Sequence, residues 1–126
     1  MDGSEAADGF RAAPDLQKAL GQWLAWLEHE RRLSDRTRDA YGRDIGQFLG
    51  LLARHQGELP RLSTLADLTR GDFRAWMASR QAEGIEARSL ARALSALKNL
   101  FRFLAKRGSS PWWRARKERN WPMSRP

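Results

Sequence analysis

The chain has 126 residues, 41% of them hydrophobic and 30% charged. That composition fits one globular domain and excludes a disordered polyelectrolyte. It contains no cysteine, which removes disulfides, thiolate metal sites and thiol catalysis. Twenty-three Lys and Arg against fifteen Asp and Glu leave a formal charge of +8, which points to a polyanionic partner, with a merely solvated basic surface as the plainer reading.

Residues 1–14 are acidic and rich in small side chains. They lack the basic and apolar regions of a secretory signal, so they are read as a disordered N-terminal segment of a cytoplasmic protein. No run approaches the roughly 18 consecutive apolar residues of a membrane span, so no membrane partner is expected. Helical periodicity dominates from there on, with no internal repeat and no run of strands.

The first predicted helix covers about Asp15 to Arg32, with Asp15 as N-cap after Pro14 and Leu16, Leu20, Trp23, Leu24 and Leu27 on a buried stripe. Ser34 caps a second helix, about Asp35 to His55, whose apolar face is Tyr41, Ile45, Phe48, Leu49 and Leu52. Arg36, Arg43, Gln47 and Arg54 fall on its other side. Gly42, Gly46 and Gly50 are spaced by four, which puts them on one strip where another helix, or something else, approaches the backbone. Gly57 and Pro60 mark a loop, and Leu65 to Leu68 read as a short turn. Thr69 caps a third helix, about Arg70 to Glu83, with Phe73, Trp76 and Met77 inward and Gly84 just past its end.

The fourth helix, about Ala87 to Arg107 with Gly108 as its stop, has the sharpest pattern. Leu90, Leu94, Leu97, Phe101 and Leu104 form one apolar stripe, while Arg88, Arg92, Ser95, Asn99, Arg102 and Lys106 gather opposite. The segment has six basic residues and no acid. Residues 109–126 carry Trp112, Trp113 and Trp121 with basic residues and show no period, so they are read as an irregular tail.

Catalytic chemistry finds little support in these residues. His29 and His55 sit near predicted helix C-termini, where the helix dipole favours a surface histidine. No His pair or Gly-rich phosphate loop has the needed spacing, so no metal, cofactor or small-molecule substrate is expected. Tyr41 lies on an apolar stripe and reads as core. Nucleic-acid binding fares better. The fourth helix offers cations for phosphates and Ser and Asn hydrogen-bonding groups for phosphate oxygens or base edges. The start of the second helix, with Ser34, Arg36, Thr37 and Arg43, combines basic and hydroxyl groups with the positive end of the helix dipole.

Two stretches then match a known family. They are Leu33-Ser34-x-x-Thr37-x-x-x-Tyr41-x-x-Asp44-x-x-x-Phe48, and Arg88-Ser89-Leu90-Ala91-Arg92-Ala93-Leu94-Ser95-Ala96-Leu97-Lys98-x-x-Phe101-x-Phe103-Leu104-x-x-x-Gly108. With the third helix between them, the chain from about Leu16 to Gly108 resembles the N-terminal core-binding domain of tyrosine recombinases, most closely the XerC/XerD type that resolves bacterial chromosome dimers. The resemblance implies an all-α, four-helix SAM-like bundle over residues 15–108, whose second and fourth helices cross the major groove of a recombination half-site. It implies Ser34, Arg36, Thr37, Arg43, Arg88, Ser89, Arg92, Ser95, Asn99 and Lys98 as DNA-facing residues, and a first helix that touches a second recombinase protomer. The family's catalytic residues belong to a second domain, so none is expected in these 126 residues. Residues 109–126 depart from the family's usual Pro-Lys-rich linker.

Two other readings stay open. A small basic bundle with a Trp-rich tail could be a protein-interaction module that docks an acidic partner. The chain could also be a non-cutting regulator that occupies recombination sites.

Overall fold

The computed structural model describes residues 10–30 and 32–106. Within them every regular element is an α-helix: α1 (Pro14–Glu28), α2 (Asp35–Gln56), α3 (Leu62–Ala66), α4 (Arg70–Ala82) and α5 (Ala87–Lys106). The all-α expectation therefore holds, and the four long helices start within a residue of where periodicity puts them. The expected disorder of residues 1–9, the Gly108 stop and the Trp-rich tail lie outside the described residues. The chain divides into two compact units, Met1–Leu62 and Ser63–Pro126.

In the first unit, α1 and α2 pack against each other. Leu16, Leu20, Trp23 and Leu27 of α1 and Tyr41, Ile45, Phe48 and Leu49 of α2 are buried, while Leu24 and Leu52 are half-buried. The N-cap of α1 is Ala13, not Asp15, with Pro14 at the first helical position. Proline suits that position because its missing N–H would have no partner there. Asp15 instead accepts from the N–H of Leu16 at 2.7 Å and of Leu62 at 3.3 Å, next to the positive end of the dipole.

Helix α1 stops at Glu28, short of the expected Arg32. The cause lies in the next helix. Arg38 reaches back from α2 and donates to the carbonyls of Glu30 and Leu33, each at 3.1 Å, while pairing with Asp35. The Glu30 carboxylate also accepts from the N–H of Arg32 at 3.2 Å. These bonds hold the connection as a turn. At its other end α2 closes on Gly57, whose φ of 77° lies in the left-handed region and whose N–H donates to Ala53 at 3.0 Å.

Residues 10–13, part of the segment expected to be disordered, form no regular element but contact the rest of the first unit. Ala12 is buried and the Ala13 N–H donates to the carbonyl of buried Pro60 at 2.9 Å. Phe10 and Arg11 run along the glycine strip of α2. A Cβ built on Gly46 would meet the Phe10 ring at 3.8 Å, and one on Gly50 would meet the Arg11 Cδ at 3.9 Å. The neighbour of the strip is thus the N-terminal segment. It sits at ordinary van der Waals distance, so the approach does not itself require glycine. Asp44 of α2 is the one charged residue buried among the described residues.

In the second unit, the short helix α3 and the turn after it bury Leu65, Ala66 and Leu68. The helix begins ahead of the expected turn. Thr69 and Asp72 then start α4 with a capping box: the Thr69 hydroxyl accepts from the Asp72 N–H at 3.1 Å and the Asp72 carboxylate from the Thr69 N–H at 2.8 Å. Phe73 and Trp76 are buried, whereas Met77 is half-buried. Gly84, at φ 86°, turns the chain into α5. Phe73 meets Phe101 edge to face, with ring centroids 5.7 Å apart, the arrangement that ring quadrupoles favour. Leu90, Leu97, Phe101 and Leu104 are buried as expected. Leu94 is only half-buried, and Ala93, Ala96 and Leu100 are buried in addition.

Candidate nucleic-acid interface

The start of α2 is built by its cap. The Ser34 hydroxyl oxygen accepts from the Thr37 N–H at 3.1 Å and its proton goes to the Thr37 Oγ1 at 3.0 Å. One polar pair thereby orders both hydroxyls at the first turn, whose remaining N–H groups have no intrahelical acceptor. Arg36 and Arg43 are exposed, and Arg54 continues their side of the helix. Of the described cations around this turn, Arg38 is the one committed to the protein itself, to two carbonyls and a carboxylate. The sequence pattern alone does not separate Arg38 from Arg36; the backward reach to the preceding turn does.

A shallow groove runs beside these residues, lined by Phe10, Leu24, Arg38, Asp39, Gly42, Arg43 and Gly46. Gly42 forms its open end, since a Cβ there would meet nothing within 4 Å.

In the second unit, α5 spans Ala87–Lys106 with five basic residues and no acid. Its apolar side is occupied by the core contacts above, which forces the cations outward. Arg88, Ser95, Arg102 and Lys106 are exposed, and Arg92, Lys98 and Asn99 are half-buried. Arg92 and Asn99 each make an interaction within the protein. Ser89 is half-buried and lies toward the core side of the helix, one turn before buried Ala93 and two before buried Ala96. Of the ten expected site residues, Ser34, Arg36 and Thr37 thus lie at the start of α2, and Arg43 follows two turns after Arg36 on the same side. Arg88, Arg92, Ser95, Asn99 and Lys98 share the polar side of α5, and Ser89 stands at its margin. Arg54, Arg102 and Lys106 belong to the same two surfaces, although the family motifs do not single them out.

Among the described residues no cluster of His, Asp and Glu could hold a metal ion. No described helix is long and apolar enough to cross a membrane.

Comparison with known proteins agrees with this architecture. Residues 20–108 match the profile of the phage integrase N-terminal SAM-like domain. The chain is 51% identical over 101 residues to the tyrosine recombinase XerC of Methylobacterium nodulans, an alignment covering 80% of this chain and 31% of that protein. It is 40% identical over 108 residues to XerC of Rhodospirillum centenum, covering 86% of this chain and 32% of the relative. Identity to XerC of Mesorhizobium japonicum is 46% over 97 residues, or 77% of this chain and 31% of the relative. The chain spans about a third of the length of these relatives. No solved structure matches it. On the match over residues 20–108, this chain belongs to the phage integrase N-terminal SAM-like domain family.

Proposed function

We propose that this chain binds duplex DNA as the core-binding part of a site-specific tyrosine recombinase of the Xer type. The observation that carries the reading is the polar side of α5, where cations alternate with Ser95 and Asn99 and no acid interrupts them. Arg88, Lys98, Arg36 and Arg43 act on phosphates, and Ser34, Thr37, Ser89 and Ser95 supply hydroxyl contacts to the backbone. Arg92 and Asn99 are the base readers. An Arg bidentate to guanine, or an Asn bidentate to adenine, discriminates by about 1–3 kcal/mol.

Strand cleavage is assigned to a second domain, and a neighbouring recombinase protomer is the proposed protein partner. The test is a salt titration of the chain on duplex carrying a recombination half-site. Each phosphate contact adds about −0.9 to the slope of log K against log salt, so several contacts give a steep line. A flat line would remove the proposal. Arg92→Ala should relax preference at one base pair and leave binding to unrelated duplex almost unchanged. A covalent adduct formed by the chain alone would contradict the assignment of cleavage elsewhere.

A further inference from the structure

We propose that Arg11 is a further phosphate-binding residue, carried onto the basic side of α2 by the N-terminal segment and seated there by the glycine strip. The inference rests on the reading that α2 faces DNA. The Arg11 stem lies over Gly50, with its Cδ 3.9 Å from where a Cβ would stand. Gly50 is four residues from Arg54 and seven from Arg43, spacings of about one and two helical turns. The three arginines therefore share one stretch of α2 surface, although Arg11 is remote from the other two in sequence. A long cationic side chain lies along such a surface with its stem while the charged end stays in water, and Arg11 is exposed.

The position is held, not casual. Phe10 covers Gly46 with its ring, and its carbonyl accepts from the Gln17 Nε2 at 3.5 Å. Ala12 is buried and Ala13 donates to Pro60. The residues on both sides of Arg11 are thus fixed to the first unit, which lowers the conformational entropy lost when its side chain meets an anion. The guanidinium makes no ion pair or hydrogen bond with the described residues. Of the acids near it, Asp8 is three residues away in the chain and is the closest in sequence, and Asp15 is four; on the α2 strip itself, Asp39 is eleven residues before Gly50. At 1.5 Å per residue that is about 16 Å along the helix, beyond the roughly 10 Å screening length at 0.1 M salt.

The experiment compares Arg11→Ala, Arg11→Lys and Arg43→Ala in the full chain by fluorescence anisotropy on half-site and unrelated duplex across a salt series. Arg11→Ala is expected to make the slope shallower by about 0.9 and to weaken binding about eightfold at 0.1 M salt, equally on both duplexes. Arg11→Lys keeps the charge and should keep the slope. An unchanged slope in Arg11→Ala, with a reduced one in Arg43→Ala, would overturn the role of Arg11 and leave α2 as a DNA-facing helix. An unchanged slope in Arg43→Ala would overturn the reading of α2 itself. Thermal melting of each variant checks that the fold is retained.

Discussion

Replacing Gly46 by alanine should stabilise the protein, although glycines at a regular spacing of four suggest a close contact that forbids side chains. Glycine in a helix interior is disfavoured against alanine by roughly 1 kcal/mol, because it leaves more backbone freedom in the unfolded chain. The structure decides whether that gain is cancelled. A Cβ at Gly46 would touch the Phe10 ring at 3.8 Å, one at Gly50 the Arg11 Cδ at 3.9 Å, and one at Gly42 nothing within 4 Å. These are ordinary contacts, worth about 0.1–0.2 kcal/mol of attraction per atom pair. Each single alanine should therefore add about 0.5–1 kcal/mol, and the triple variant about 1.5–3 kcal/mol. At about 4–8 °C per kcal/mol for a domain of this size, the triple variant should melt at least about 6 °C higher by far-UV circular dichroism. Gly57 and Gly84 supply the contrast. They too have open space, but their φ angles are 77° and 86°, and alanine there should cost about 1–2 kcal/mol. A loss of stability in Gly42→Ala, Gly46→Ala or Gly50→Ala would refute the reasoning, because it would require a neighbour tighter than Phe10 and Arg11.

Thr69→Ala removes one arm of the capping box at α4 and should lower stability by about 1 kcal/mol in urea denaturation. Phe101→Ala empties the edge-to-face partner of Phe73 and should cost about 3–5 kcal/mol, read as a lower midpoint at similar m. Asp44→Ala leaves the partners of a buried carboxylate unsatisfied. It should destabilise by about 1–3 kcal/mol, whereas an exposed acid such as Asp39 should change stability by less than about 0.5 kcal/mol.

The helices were legible because leucine and aromatic spacing reports a buried side directly, as at Leu16, Leu20, Trp23 and Leu27. Their ends were less so. The stop of α1 depends on Arg38, a residue of the following helix whose reach to the Glu30 and Leu33 carbonyls leaves no trace in the local pattern. The stripe of α5 was drawn on large side chains, and Ala93 and Ala96 turn its true centre away from Leu94 and bring Ser89 to the margin. The glycine strip was visible, but its occupant was not. Phe10 and Arg11 carry no periodicity of their own, and only a fold can lay them on a helix more than thirty residues later. The basic sides of α2 and α5 were legible as charge, and the two family motifs gave that charge an expected partner.

The acid-free polar side of α5 makes dissolved ions act on this protein in two opposed directions. Arg88 stands in the first turn of α5, which holds no acid, so a cation sits at the positive end of the helix dipole. That arrangement is unfavourable by up to about 0.3–1 kcal/mol at low ionic strength, less what Glu86, directly before the helix, offsets. The free domain therefore carries a local electrostatic frustration on the very surface assigned to DNA. Adding salt screens that repulsion and shelters the unliganded fold, while it weakens attachment to a polyanion. A duplex adds negative charge along the same side, beyond what Glu86 supplies at the helix start. Melting temperature of the free chain and DNA affinity should thus move oppositely along one salt axis.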